Sequence, residues 1–412
     1  MIAVVCVAGC YNPSFKDCEV SCASGHGCPA DLECKAGMCR LPGAGPTCGS
    51  PGDDASGDAI GIDAPPPDAP ACWPILPTNY DPCDGTFPAG ANAIALDSGT
   101  IDTVAGTFTS VTGGSIQICT SYTSTAGATS CLVRAPRFTV NAGANIIITG
   151  SLPLLVVADS DITVSGTLEV SNINNDTNCP GTGASGAVAG TTGSGGAGGS
   201  YGGAGAEGGA ANGFIGGAAG TPTGNAAIDP VRLGCPGGLG ASGNAATVGR
   251  GLRGSGGGAI ELSSKTSVVV TGRIHANGGG GGGGGNAGGI TSAGGGGGAG
   301  GSVLLEAPIV NVANNAEVCA VGGGGGGGGG GTTMAGSGAD GNGCNPGLGG
   351  QGGTGAGFGG AGGGATIAAA RGGDAMNSAS SAGGGGGSVG RIRFHAGTLM
   401  NVGTVVPAPV TN

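Results

Sequence analysis

The chain has 412 residues, of which 104 are glycine and 23 proline, while 3% are aromatic and 9% charged, with a formal net charge of −11. Too few large side chains exist to fill one uniformly packed globule, and the charge is too dilute for ordinary charge-driven disorder. Thirteen basic residues against 24 acidic ones leave nucleic acid without an electrostatic footing.

The N-terminus reads MIAVVCVAGCYNPS, and residues 1–9 are apolar or small and uncharged. That run is too short for a bilayer, which takes about 20 residues, and it lacks the basic n-region of a secretory signal. Its translation start is therefore expected upstream of Met1. Val7-Ala8-Gly9-Cys10 resembles the lipobox of bacterial lipoproteins. The resemblance implies that residues 1–10 are a signal segment and that Cys10 is the acylated residue. Tyr11, standing where an Asp would signal inner-membrane retention, implies an outer-membrane protein facing the periplasm or the cell surface. The acyl chains of one such Cys suffice for stable anchoring, at about 0.8 kcal/mol per buried methylene.

There are 16 cysteines. With Cys6 in the signal and Cys10 lipidated, an even set remains: Cys18, Cys22, Cys28, Cys34, Cys39, Cys48, Cys72, Cys83, Cys119, Cys131, Cys179, Cys235, Cys319 and Cys344. A cytosolic chain has little reason to keep so many, so disulfides in an oxidising compartment are expected. The first six fall within residues 11–50, a segment with few large apolar residues, and are expected to pair among themselves in an order the sequence leaves open. The segment resembles the small EGF-like or knottin-like heads of secreted proteins. Zinc is disfavoured there because no CxxC occurs and His26 is the one nearby histidine. Residues 51–71 are rich in Asp, Pro and Ala and read as a disordered, semi-rigid linker. The irregular spacing of Asp53, Asp54, Asp58, Asp63 and Asp68 matches no calcium loop.

Residues 72–180 carry short alternating runs such as RFTVNAGANIIITG and PLLVVADSDITVSGTLEVSN, separated by Gly, Ser, Asn and Asp. This is strand patterning. Local bridges Cys72–Cys83 and Cys119–Cys131 fit it. The stretch TNYDPCDGTFPAGANAIALDSGTIDT resembles cell-surface proteins of myxobacterial type. Residues 181–258 are Gly- and Ala-rich, with Cys179 and Cys235 as a clamp near the ends of the first part. Runs such as GGSYGGAGAEGGAANG resemble the PE-PGRS proteins, but no PE-type helical domain precedes them, so that likeness implies composition and not function.

Residues 259–412 alternate β-repeats with glycine tracts. PLLVVADSDITVSGTLEVSN (153–172), GAIELSSKTSVVVTGRIHANGG (258–279), GSVLLEAPIVNVANNAEVCAVGG (301–323) and GSVGRIRFHAGTLMNVGTVVP (387–407) share one plan: strand, bend, strand, corner, strand. One such unit cannot bury its apolar face alone, which is the logic of stacked repeats. The expected fold is all-β, a right-handed parallel β-solenoid-like body with polyglycine-II-like insertions. The tracts Gly278–Gly285, Gly294–Gly298, Gly322–Gly331 and Gly383–Gly387 are anchored at both ends. They can form three-residue-per-turn helices that hydrogen-bond side by side.

Chemical motifs are sparse. In this composition G-x-G-x-x-G and G-x-S-x-G matches carry no weight, and none of Lys16, Lys35 and Lys265 follows a glycine as a P-loop requires. His275 and His395 recur as Arg-x-His with Arg273 and Arg393, which reads as a solvated polar strand face. A polysaccharide lyase or hydrolase would need clustered carboxylates. Asp159 and Asp161, with Glu169 nearby, read instead as a polar strand turn. The stretch Gly336–Asp340 resembles a calcium-binding nonapeptide repeat, but Asn342 stands where a large apolar residue is expected. No catalytic, cofactor-binding or metal-binding residue is assigned and no cofactor is expected. The expected function is that of a non-enzymatic, lipid-anchored, glycine-rich surface protein, structural or adhesive. Its expected partners are the membrane, through the anchor, and envelope polysaccharide or other surface proteins. The alternatives are a carbohydrate-active β-solenoid enzyme and an ice- or surface-binding protein.

Overall fold

A computed structural model describes residues 22, 28, 32–42, 72–83, 92–124, 127–171, 173, 176, 179–245 and 249–411. The expected signal segment with Cys6 and Cys10, the expected linker 51–71, and Cys18, His26 and Cys48 lie outside the described residues. The chain divides into a unit ending at Ala69 and a unit beginning at Pro70.

In the first unit, Glu33–Lys35 and Met38–Arg40 form an antiparallel hairpin. Ala36 (φ 51) and Gly37 (φ 86) make its turn, the left-handed pair that matches strand twist. Cys22–Cys34 and Cys28–Cys39 bridges tie the hairpin to the preceding chain.

Among its described residues the second unit is all-β, with one short 3-10 turn at Gly243–Ala245. Its strands return in threes. The first members, Thr129–Ala135, Leu154–Ala158, Ala259–Ser264 and the starts of Ser302–Val312 and Arg391–Asn401, pair parallel in that order. The second members, Ile94–Leu96, Phe138–Val140, Ile162–Val164 and Ser267–Val270, pair parallel and continue onto the second halves of the two long strands. The third members, Gly99–Asp102, Asn145–Thr149, Thr167–Glu169, Arg273–His275, Glu317–Cys319 and Thr404–Val406, form a separate parallel sheet. Antiparallel strands Thr107–Ser110 and Ser115–Gln117 extend that sheet at one end, and Thr120–Thr123 flanks the first stack. The pairing is thus parallel through the repeats and antiparallel at their N-terminal side.

Strand alternation puts one side chain in two between the sheets. Leu154, Ile260, Val303 and Ile392 form one fully buried column; Phe138, Ile162, Val268 and Val310 form a second; Ile146, Leu168, Ile274 and Val318 form a third. Each such burial contributes roughly 1.5–3 kcal/mol, and no single repeat could achieve it. Gly143 (φ 77) and Asn315 (φ 68) take left-handed conformations at the corners between second and third strands.

The glycine tracts form an ordered layer of backbone. Within Gly322–Gly330 the partner changes with a period of three. The N–H groups of Gly322, Gly325 and Gly328 donate to the carbonyls of Gly363, Gly360 and Gly357. Those of Gly323, Gly326 and Gly329 donate to Gly298, Gly295 and Ser292, and those of Gly324 and Gly327 to Ala339 and Gly336. The tract therefore bonds outward in three directions, satisfying donors that packing would otherwise orphan. Every residue from 322 to 330 is buried. The described residues of 181–258 join the same layer: Gly196 and Gly199 donate to Gly294 and Gly297. Two disulfides clasp it, Cys179–Cys235 and Cys319–Cys344.

Candidate functional site

The outward face of the first-strand stack is not solvated. Alternation that sends Val133, Val156, Leu262, Leu305 and Phe394 inward sends Leu132, Leu155, Glu261, Leu304 and Arg393 outward in register, followed two residues on by Arg134, Val157, Ser263, Glu306 and His395. A loop closed by the Cys72–Cys83 disulfide lies across this face. Its Trp73 and Tyr80 pack with Leu132, Leu155, Val157 and Leu304, and Ile228 and Val231 complete the cover. The Arg134 guanidinium sits 5.8 Å from the centroids of both rings and pairs with Asp159 at 2.8 Å, a cation–π arrangement on the loop's inner side.

Beneath this loop lies a polar cluster. Glu261 is 0% and Glu306 1% exposed. The Ser263 hydroxyl oxygen stands 3.0 Å from Glu261 Oε1 and 2.8 Å from Glu306 Oε2. Glu306 also accepts the Thr78 backbone N–H at 2.9 Å and the Thr78 hydroxyl at 2.5 Å, and its Oε1 lies 3.1 Å from His395 Nδ1. Arg393 donates to the Ala227 carbonyl at 2.8 Å. Two buried carboxylates this close cannot both be charged cheaply. Burial and then the Glu306 charge push the Glu261 pKa well above the usual carboxylate range. Burial also works against Glu306, but hydrogen bonds from His395, Thr78 and Ser263 outweigh it and hold its pKa below the usual range. Glu261 is therefore the protonated partner. A cavity of about 270 Å³ opens beside the loop, bordered by Thr78, Tyr80, Asp81, Tyr122 and Asp229.

A second cluster lies on the other sheet. Glu169, His275 and Cys319 share one register position on neighbouring strands, and Arg273 and Glu317 share another. His275 Nδ1 is 3.1 Å from Glu169 Oε2 and Nε2 is 3.2 Å from Glu317 Oε2. Arg273 pairs with Glu317 at 3.2 Å. Burial alone would lower the His275 pKa; the carboxylates of Glu169 and then Glu317 overcome it and leave the pKa raised.

These clusters correct the reading of Arg-x-His as a solvated polar face. His275 is 7% exposed, and both histidines are held by glutamates on adjoining strands. Asp159 and Asp161 do lie at the bend between Leu154–Ala158 and Ile162–Val164. Asp159 is held by Arg134, and Asp161 by Thr266 at 2.6 Å, Ser267 at 2.9 Å and Arg137 at 3.4 Å. The hydroxyls chiefly lower the Asp161 pKa. Glu169 belongs to the His275 cluster and not to this bend. The buried acids Glu261 and Glu306 carry no signal in the sequence beyond standing at outward strand positions.

The described residues bring Cys22, Cys28 and Cys39 sulfurs within 4.8 Å of one another. They are spent in two adjoining disulfides, so no thiolate is left to ligate a metal. Disulfides also join Cys119 to Cys131. No helix among the described residues is long and apolar enough to cross a membrane. No protein-family model, curated protein or solved structure matches the chain.

Proposed function

We propose that this chain is a rigid, extracytoplasmic surface module with a structural or adhesive role and no catalytic activity, carried on an acylated Cys10. Its body is a right-handed parallel β-solenoid roofed by polyglycine-II-like helices. The observation that carries the reading is the layer bonded chiefly through backbone, in which the central glycine tract bonds in three directions. Such a layer resists deformation without offering reactive side chains, and the six described disulfides suit an oxidising compartment. Asp159, Asp161, Glu169 and Glu317 are tied to Arg, His or hydroxyl partners and Glu261 and Glu306 lie beneath the Cys72–Cys83 loop, which leaves Asp81 and Asp229 as the carboxylates bordering the cavity beside it. This makes the enzyme reading the weaker of the two.

The experiment is fractionation of cells expressing the wild type and Cys10→Ser, followed by adhesion of coated beads to the parent cells. Lipid at Cys10 by mass spectrometry, release of the variant to the soluble fraction and bead capture are expected. Identical fractionation without lipid overturns the anchor, and inert beads overturn the adhesive role.

A further inference from the structure

The glycine segments run outward from the strands and turn back, and their turns meet at one end of the layer. Hydrogen bonds join those turns into a ring. Asn212 Nδ2 donates to Thr192 Oγ1 at 2.9 Å and to the Ser378 carbonyl at 3.2 Å. Ser380 bridges to Gly330, Asn286 Nδ2 donates to the Gly331 carbonyl, and the Thr291 N–H donates to the Thr191 carbonyl at 3.0 Å. Large apolar side chains stand on this ring. Ile215 is 81%, Met334 77% and Met376 71% exposed, and Phe214 and Val188 are also exposed. Asn212 (φ 46) and Gly213 (φ 80) form the tight left-handed turn that presents Phe214 and Ile215.

The turn sequences VAGTTG (188–193), ANGFI (211–215), NAGGIT (286–291), GGTTMA (330–335) and AMNSAS (375–380) contain no charge. Adjacent Asp374 pairs with Arg371 at 2.7 Å, and the next charges along the chain are Glu207, which precedes Ala211 and lies 3.9 Å from Arg371, and Asp340, which follows Ala335. In a protein of net charge −11, five exposed large apolar side chains on uncharged turns that are hydrogen-bonded to one another mark a candidate contact surface. Phe214 and Ile215 adjoin, while Val188, Met334 and Met376 stand on other turns among Gly, Ser, Thr and Asn. A fluid interface can fill in around each one. Hydroxyl and amide groups between them suit the headgroup level, and methionine adapts to irregular surroundings.

We propose that this ring inserts its apolar side chains into the interface of a lipid bilayer, giving the protein a membrane contact separate from any acylated cysteine. The proposal deepens the adhesive reading by naming its partner class, and it stands independently of Cys10.

The test is flotation of the full chain carrying Cys10→Ser with vesicles of phosphatidylcholine alone. Flotation that rising salt does not reverse is expected. The combined change Phe214→Ser, Ile215→Ser, Met334→Ser and Met376→Ser should lower partitioning at least tenfold at an unchanged unfolding temperature. Ile116→Ser with Val402→Ser, exposed apolar residues on the strands, should leave it unchanged. Absence of flotation, or equal flotation of the four-site variant, overturns the proposal. Bead adhesion that persists in either case shows that the broader adhesive reading survives without lipid insertion.

Discussion

Glu261 and Glu306, on neighbouring parallel strands, are joined through the single hydroxyl of Ser263. That hydroxyl has one proton and cannot donate to two carboxylates at once. The consistent arrangement is a relay: protonated Glu261 donates from Oε1 to Ser263 Oγ, and Ser263 donates to Glu306 Oε2. It leaves Glu261 Oε2 as a buried carbonyl oxygen, and that atom has no hydrogen-bond partner.

The relay sets a pH dependence. Glu261 holds its proton in the fold after the unfolded chain has lost it, so its contribution is full below the ordinary glutamate range and is lost as pH rises toward its raised pKa. Glu306 has the opposite sign: its contribution is present above the ordinary range and is lost in acid. Glu261→Gln should flatten the loss toward alkaline pH, with a gain of about 1 kcal/mol there. Glu306→Gln should cost about 2–3 kcal/mol by leaving Thr78 and His395 poorly matched. Denaturant midpoints measured across pH check both signs.

Gly325 and Gly328 test the glycine layer. A Cβ at Gly325 would strike the Gly384 carbonyl, and one at Gly328 the Ser381 carbonyl. Backbone cannot step aside as a flexible side chain can. Replacing both by Val should destabilise the unit by more than about 3 kcal/mol, whereas the same change in a free loop stays within about 0.5 kcal/mol. Amide exchange across 322–331 should be as slow as across Val303–Val312.

The repeats at 258–279, 301–323 and 387–407 were legible because their inward positions are apolar with period two, as in Ser267–Val270. The equal placement of glycine after Ala276-Asn277 and Ala320-Val321 was legible for a related reason: the Gly278 N–H bonds to the Val321 carbonyl, so the tracts begin in register. The acid pair was not legible. In AIELSS, Glu261 alternates as a solvent-facing residue would, and the loop that buries it comes from residues 72–83, far away along the chain. Alternation tells which side of a sheet a residue occupies; it does not tell what covers that side. His275 eluded the sequence for the same reason, since its partners Glu169 and Glu317 are neighbours only across strands.

His275 supplies a second pH signature. Its raised pKa means that its contribution is complete below the ordinary histidine range and is lost as pH rises through the raised value. Ring titration followed by NMR should give a pKa above 6.5, the ordinary value. His275→Gln should remove the stability slope near neutral pH and cost about 1–2 kcal/mol in mild acid.

The fourteen cysteines after Cys10 should be oxidised. Thiol titration of the unfolded, unreduced protein should find almost none free, and several reactive thiols would point to a reducing compartment. Removing the Cys319–Cys344 bridge by paired Ala substitution should cost about 2–4 kcal/mol, read as a lower denaturation midpoint.

The three-direction bonding of the central tract also constrains its length. Adding one glycine near Gly326 would turn everything beyond it by about 120° about the helix axis, so each amide would face the wrong neighbour. Adding three restores every direction and lengthens the segment by one full turn. Length variation in such a layer should therefore be inherited in triplets of residues, and matched on the adjoining segments. In the strands the unit of tolerable change is two, because there a slip of one residue exchanges inside for outside. One chain thus obeys two incompatible counting rules, and the boundaries between them fall at Asn277 and Val321, where strand gives way to glycine.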